Sequence, residues 1–200
     1  DVSLDKSGRV IKKVTKEGEG YERPVEGATV TLCLEARDRV SGEVLVEDRR
    51  LCVEAASGRL CSAVEEVVLT MKRGECCEVR CSDPAAATDA ELGLKPGSSS
   101  VVVFSLQLVD FEKLDIFGTE VQESFRVAHC ARRKEVGTCF FQQGNWHRAL
   151  KRYQVVTSHL SYLEHWKDEA AKGEALLLRK ACHLNIAACW LKLEAWREAT

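Results

Sequence analysis

The stretch Arg132 to Tyr153, RRKEVGTCFFQQGNWHRALKRY, decides how the second half of the chain folds. Gly137, Phe140, Gly144, Ala149 and Tyr153 put small residues where two antiparallel helices would cross, aromatics between them, and Gly144-Asn145 at the turn. The spacing predicts a helical hairpin. The same spacing returns in Ala187, Trp190, Glu194 and Ala199, with Glu194 in the place of the turn glycine. A second hairpin is therefore expected to begin near Glu174, with Leu177, Ala181, Leu184, Ala188 and Leu191 as the buried stripe of its first helix. Hairpins of this kind stack on neighbours, and the surfaces they build bind other molecules.

Working outward, the composition sets limits. With 45% hydrophobic and 30% charged residues, the chain has the balance of an ordinary soluble protein and enough apolar material for one or two cores. A net charge of -2 argues against nucleic-acid binding by bulk electrostatics. No run approaches the eighteen or so apolar residues of a membrane span, and DVSLDKSGRV at the N-terminus lacks the apolar segment of a signal peptide. A cytosolic protein with no membrane span and no nucleic-acid partner is expected.

Ten cysteines could mean a disulfide framework in a secreted domain or zinc in a cytosolic one. Neither fits. The chain contains no C-x-x-C, Cys76-Cys77 is followed by Cys81, and Cys33, Cys77 and Cys81 alternate along expected strands. Thiols acting as small hydrophobes are the better reading. His129, His147, His159, His165 and His183 are scattered along expected helices without a second ligand at metal spacing, so no metal and no cofactor is expected.

From Val10 to Asp110 the pattern is that of strands. Val10, Ile11 and Val14 open it, then Glu17-Gly18-Glu19-Gly20 and Pro24 to Gly27 punctuate. Val30, Leu32 and Leu34 alternate with Thr29, Thr31 and Cys33, the polar DRVSGE stretch turns the chain, and Val44 to Val53 is a weaker strand. Ser62 precedes Ala63, Val64, Val67, Val68 and Met71 at helical spacing, and Glu65 three residues on predicts a capping box. Cys77, Val79 and Cys81 form a further strand; after an Ala-, Pro-, Gly- and Ser-rich loop from Ser82 to Ser100, Val102, Phe104, Leu106 and Leu108 share a face of the closing one. An antiparallel sheet wrapping one short helix is an α+β domain.

This block resembles the FKBP domain, the fold of one class of peptidyl-prolyl isomerases, in VIKKVTKEGEGYERPVEGATVTL, VEEVVLTMKRGE and SVVVFSLQLVDFEK. The later stretch, with Gly at the eighth position, an aromatic at the eleventh, Gly at the fifteenth, Ala at the twentieth and an aromatic at the twenty-fourth, resembles the tetratricopeptide repeat, a helix-turn-helix unit of about 34 residues. That order of parts is how large immunophilin co-chaperones are built, and GEGYERP is most similar to the plant type. The resemblance implies a degenerate FKBP-type domain at 1–113, a linker at 114–119 that breaks at Gly118 and Thr119 before a helix near Glu120, and about one and a half repeats at 120–200. The first hairpin would run from about Glu120 to Gln143 and from Trp146 to about Glu164; the charged EHWKDEAAKGE would lengthen the connection, and Trp196 would start a further helix. Because such repeats need about three copies for stability, the chain reads as a piece of a longer protein.

The resemblance also implies where catalysis would sit. An FKBP domain twists an X-Pro bond inside an aromatic, water-poor pocket, lowering a barrier of roughly 20 kcal/mol. Carried over by position, the pocket tyrosine becomes Leu34, the Phe-Asp pair Val46-Glu47, the next phenylalanine Val53, the Val-Ile pair Leu60-Cys61, the floor tryptophan Val64, and the loop tyrosine about Ala87. Phe104 alone keeps its aromatic ring, at a position that reads equally as core. The expectation is a domain without isomerase activity; the alternative is an active isomerase with an atypical pocket.

In relatives that dock on Hsp90, basic residues and asparagines grip the carboxylates of an acidic C-terminal peptide by charge-assisted hydrogen bonds. By position, the clamp lysine falls on Lys134, the first asparagine on Thr138, and the asparagine of the second repeat on Asn185. Trp146, Trp190 and Trp196 fall at or near packing positions. The implied protein is a cytoplasmic co-chaperone scaffold that can also enter the nucleus, with the Hsp90 C-terminal peptide as partner and other proteins meeting its FKBP-like surface. A protein-interaction segment unrelated to chaperones stays open.

Overall fold

The structure is a computed structural model that describes residues 1–2, 6–95, 97, 101–116 and 121–194. The chain divides into two compact units, Asp1–Leu114 and Asp115–Thr200. Gly118, Thr119, Glu120, Trp196 and Ala199, named in the sequence reading, lie outside the described residues.

The first unit is built on five antiparallel strands: β1 (Val10–Lys16), β2 (Thr29–Asp38), β3 (Val44–Glu54), β4 (Cys76–Cys81) and β5 (Val102–Phe111). In space they run β1-β4-β5-β2-β3, so the last strand in sequence is the middle of the sheet. Alternation sets the buried face. Val30, Leu32, Leu34 and Ala36 of β2 and Val102, Phe104, Leu106 and Leu108 of β5 point to one side, and helix α1 (Ser62–Val68) buries Ala63, Val64, Val67 and Val68 in the same core. Registers of Leu34 with Leu106 and Ala36 with Phe104 keep the apolar positions of the two strands side by side. Cys77 and Cys81 join this core, while Cys33 looks to the opposite face.

The edge strand β1 carries a weaker pattern for a physical reason. Ile11 and Val14 are exposed, and Lys12 turns inward instead, its Nζ meeting the buried Glu75 carboxylate and hydrogen-bonding Thr70 Oγ1 at 3.0 Å. A buried carboxylate needs such a partner. At Gly18 the backbone approaches the β4 side so closely that a β-carbon would stand 2.7 Å from Arg73 O, and the next residue, Glu19, donates its N–H to that oxygen at 2.7 Å.

The expected capping box at the start of α1 does not form. Cys61 occupies the N-cap position without a side-chain cap bond. Glu65 reaches back beyond it, accepting from the Gly58 N–H at 2.7 Å and the Leu60 N–H at 3.4 Å, while Ser62 Oγ donates to Ala86 O at 3.3 Å. The tertiary partners outcompete the local pair. The Ser82 to Ser100 segment, expected to be loop, contains a helical turn α2 (Pro84–Ala87) capped by Asp83, whose carboxylate accepts from the Ala85 N–H.

The second unit contains α3 (Glu123–Gln142), α4 (Trp146–His159) and α5 (Glu169–Lys192). The α3-α4 pair is a tight hairpin closed at Gly144, which adopts φ +76, a left-handed conformation that costs an L-residue energy and glycine almost none. The α5 helix begins five residues earlier than expected, because Asp168 caps it by accepting from the Ala170 and Ala171 N–H groups, and Gly173 is carried inside the helix. Its buried stripe also differs from the expected one. Ala171, Ala175, Cys182 and Cys189 are buried, whereas Leu177, Leu184 and Leu191 are 68%, 73% and 47% exposed. Small residues face the core because the helix lies close to α4 and α3, and the leucines flank that contact on the open side. Trp166 and Trp190 belong to the same core, as does Leu163 from the connection before α5.

Candidate functional sites

The positions carried over from the isomerase pocket fall together in the first unit, and all but Glu47, which is exposed on β3, are buried. Leu34, Val46, Val53, Leu60, Cys61, Val64, Ala87 and Phe104 belong to one core. The cavity bordering Val53 and Leu60, also lined by Val30, Leu32, Ala56 and Glu65, measures about 10 Å³, close to the smallest space that holds one water.

Asp89 braces the neighbouring backbone. Its carboxylate accepts from the buried Cys61 N–H at 2.7 Å and from the Leu92 N–H at 2.9 Å. It thereby ties the start of α1 to the segment that follows α2, whose Leu92 and Leu94 are buried. On the outside, Arg59 and Glu91 pair with Nη2 to Oε1 at 2.6 Å. Sequence reading missed Asp89, since an aspartate near a Gly-rich stretch carries no signal beyond turn formation.

The three positions carried over from the peptide clamp lie in the second unit, and one of them, Thr138, is bonded to a residue the sequence offered only as packing. Tyr153 of α4 is buried, and Gly137 of α3 lies against its ring: a β-carbon there would be 2.9 Å from Tyr153 Cε1. That approach lets the hydroxyl reach across α3, where it donates to Thr138 Oγ1 at 3.2 Å. Thr138 Oγ1 donates in turn to the Lys134 carbonyl one turn back, at 3.0 Å. From α5, Asn185 also acts on that phenol, as the smallest of the influences on its pKa. The charge of Lys134 lowers the pKa of the Cys182 thiol on α5, although burial dominates and pushes that thiol up to about 11. Lys134, Thr138 and Asn185 are all half-buried. Burial, opposed by the bond to Thr138, likewise raises the Tyr153 phenol above its usual value, so it stays a protonated donor at neutral pH.

The thiols are electrostatically quiet. Burial pushes Cys77 and Cys130 up to about 12 and Cys189 up to about 11, and all ten cysteines are free. Among the described residues, no group of three or more His, Cys, Asp or Glu side chains could hold a metal ion. No helix among them is long and apolar enough to cross a membrane.

No family model matches the chain. Over 205 residues it is 30% identical to the peptidyl-prolyl cis-trans isomerase FKBP4 of Rattus norvegicus, an alignment that covers 100% of this chain and 43% of that protein. It is 23% identical over 201 residues to FK506-binding protein 59 of Drosophila melanogaster, with 96% of this chain and 43% of the relative covered. Among solved structures, a multi-domain immunophilin from Arabidopsis thaliana matches 98% of this chain and 79% of its own at 22% identity and a TM-score of 0.49. The chain thus spans less than half the length of the curated relatives it matches. Along its whole length the chain is similar to part of FKBP4, a peptidyl-prolyl cis-trans isomerase.

Proposed function

We propose that this chain works by docking rather than catalysis. In this reading an FKBP-like domain at 1–113, without isomerase action, is joined through 114–119 to tetratricopeptide-type repeats at 120–200. The repeats dock on the acidic C-terminal peptide of Hsp90, and the FKBP-like surface meets other proteins, as a cytoplasmic co-chaperone scaffold would. The observation that carries the reading is that half-buried Lys134 and Thr138 on α3 and Asn185 on α5 lie near one another, Lys134 acting on the Cys182 thiol and Thr138 and Asn185 on the Tyr153 phenol. A cation, a hydroxyl and an amide gathered between stacked helices suit a carboxylate, which accepts charge-assisted hydrogen bonds. The aliphatic side chains of Leu34, Val46, Val53 and Val64 in the core support the absence of catalysis, because a twisted X-Pro amide is held between aromatic walls in an active domain.

Calorimetric titration of the full-length protein with a peptide ending in Met-Glu-Glu-Val-Asp, as the free acid and as the amide, tests the docking half. The free acid should bind more tightly, the affinity should fall as salt rises, and Lys134→Ala should cost about 1.5 to 3 kcal/mol, the range for a hydrogen bond to a charged group. Equal affinity for acid and amide would end the reading. An active isomerase with an atypical pocket is the second reading, favoured by the name of the FKBP4 relatives. NMR exchange on an X-Pro peptide separates the two: catalysis at the rate of an ordinary FKBP domain would replace the first with the second.

A further inference from the structure

We propose that Glu123 is a positioning residue of the docking groove: its carboxylate, bound to the backbone where α5 begins, sets the register of α5 against α3, and with it the spacing of Asn185 from Lys134 and Thr138. The inference rests on the docking reading above. Glu123 is the first residue of α3, where an acidic side chain ordinarily serves its own helix. Here it serves another. Oε1 accepts from the Lys167 N–H at 2.9 Å and Oε2 from the Asp168 N–H at 2.8 Å, across 44 and 45 residues of sequence. Asp168 is the N-cap of α5, and its own carboxylate accepts from the Ala170 N–H at 3.0 Å and the Ala171 N–H at 3.1 Å. Since α5 carries that local cap, Glu123 is not needed to start the helix. Its two bonds tie the start to α3 instead, and a carboxylate engaged at both oxygens fixes direction as well as distance.

Such an anchor matters because the apolar contact is smooth. The side chains that α5 buries, Ala171, Ala175, Cys182 and Cys189, are small; they let helices approach but interlock little, so packing holds the separation more firmly than the register. A shift at the start of α5 is carried along the helix to Asn185, about 25 Å further on. Lys134 and Thr138 stay behind on α3. The other end of the connection is tied separately, by Arg179 Nη1 donating to Leu160 O at 3.1 Å and Ser161 O at 3.3 Å. Glu123 lies in an open cleft with Val121, Gln122, Ser124 and Lys167, where water can take the place of its carboxylate, so the fold should survive its removal.

The test compares Glu123→Ala with Asp168→Ala in the full-length protein, by thermal unfolding and by calorimetric titration with the Met-Glu-Glu-Val-Asp peptide as free acid and as amide. Each substitution removes a carboxylate from the start of α5, but only the first unties α5 from α3. Both should lower the melting temperature. Glu123→Ala should weaken the free acid about five-fold or more, the worth of roughly one hydrogen bond, while Asp168→Ala should bind close to wild type. Glu123→Gln, which keeps one acceptor oxygen, should fall between wild type and Glu123→Ala. Positions as far apart as 123 and 185 ordinarily contribute independently; here the effect of Glu123→Ala should vanish once Asn185 is alanine. If the wild type prefers acid over amide but Glu123→Ala binds as well as wild type, weakens binding no more than Asp168→Ala does, or loses as much in the Asn185→Ala background, the positioning role is overturned and docking stands. If the wild type does not distinguish acid from amide, the docking reading falls and the positioning role with it.

Discussion

Gly137 of α3 lies so close to Tyr153 of α4 that the two helices meet without a side chain between them: an added β-carbon would come within 2.9 Å of the ring and 3.1 Å of Arg152 Cβ. Gly137→Ala gains up to about 1 kcal/mol of helix propensity but forces apart a buried ring, a strain of typically about 1 to 3 kcal/mol. A net loss is expected. Gly173, inside α5 with open space where its β-carbon would go, is the control, and Gly173→Ala should stabilise by about 0.5 to 1 kcal/mol. Urea unfolding of the two variants should move the midpoint in opposite directions; two shifts of the same sign would contradict the packing described.

Asp89→Ala removes the acceptor for two backbone N–H groups, Cys61 and Leu92. An unsatisfied buried donor costs about 1 to 3 kcal/mol, so a loss of at least about 2 kcal/mol is expected, with Asp89→Asn milder because it keeps one acceptor oxygen. Hydrogen exchange of the first unit's backbone amides as denaturant is raised measures it. A loss under half a kilocalorie would mean that the start of α1 is held elsewhere.

The thiols should divide by exposure. Cys52 and Cys139 are exposed, whereas Cys77, Cys130, Cys182 and Cys189 are buried with pKa values pushed up to about 11 or 12. Only the thiolate attacks an alkylating reagent. Mass spectrometry after brief iodoacetamide treatment at neutral pH should find label at Cys52 and Cys139 first, and all ten positions labelled only after unfolding. Label missing in pairs from the unfolded, unreduced protein would reveal disulfides instead.

His159, half-buried at the end of α4 with its ring stacked on His129 at 6.0 Å between centroids, has its pKa lowered by burial. The unfolded chain therefore takes up the proton first as pH falls below the ordinary histidine value of about 6.5. Stability of the helical unit should be unaffected above neutrality, fall from about pH 6.5 downward, and level off once the folded state is protonated too. His159→Gln should flatten that slope. An unchanged slope between pH 7.5 and 5 would assign the pH dependence to other groups.

Where side-chain period alone decides placement, the sequence was enough. β2 and β5 follow their alternation residue by residue, and the α3-α4 hairpin follows its glycines. On α5 periodicity misled, because Leu177, Leu184 and Leu191 repeat as faithfully as Ala175, Cys182 and Cys189, and only the closeness of α4 and α3 selects the smaller set for burial. The Ser62 and Glu65 pair had the right spacing for a cap, yet Ala86 and the Gly58 and Leu60 amides offered each a partner that is invisible from local sequence. Of the candidate sites, Lys134, Thr138 and Asn185 could be named from the repeat pattern, whereas the bond from Tyr153 to Thr138 depends on how closely α3 and α4 pack at Gly137.

The order of strands in the sheet has a consequence for how the protein is made. β5, the centre of the sheet, is the last of the five strands to leave the ribosome, and Val10 pairs with Cys81 across a long stretch of intervening chain. Until residues 102–111 emerge, β2 and β3 can pair as a local hairpin, but nothing joins them to β1 and β4, and both halves present open edges. Such distant pairing is slow, of the order of milliseconds to seconds, while neighbouring helices such as α3 and α4 close in microseconds to milliseconds. The first unit to be synthesised would then be the slower to mature, spending its waiting time as the more aggregation-prone half of a nascent chain.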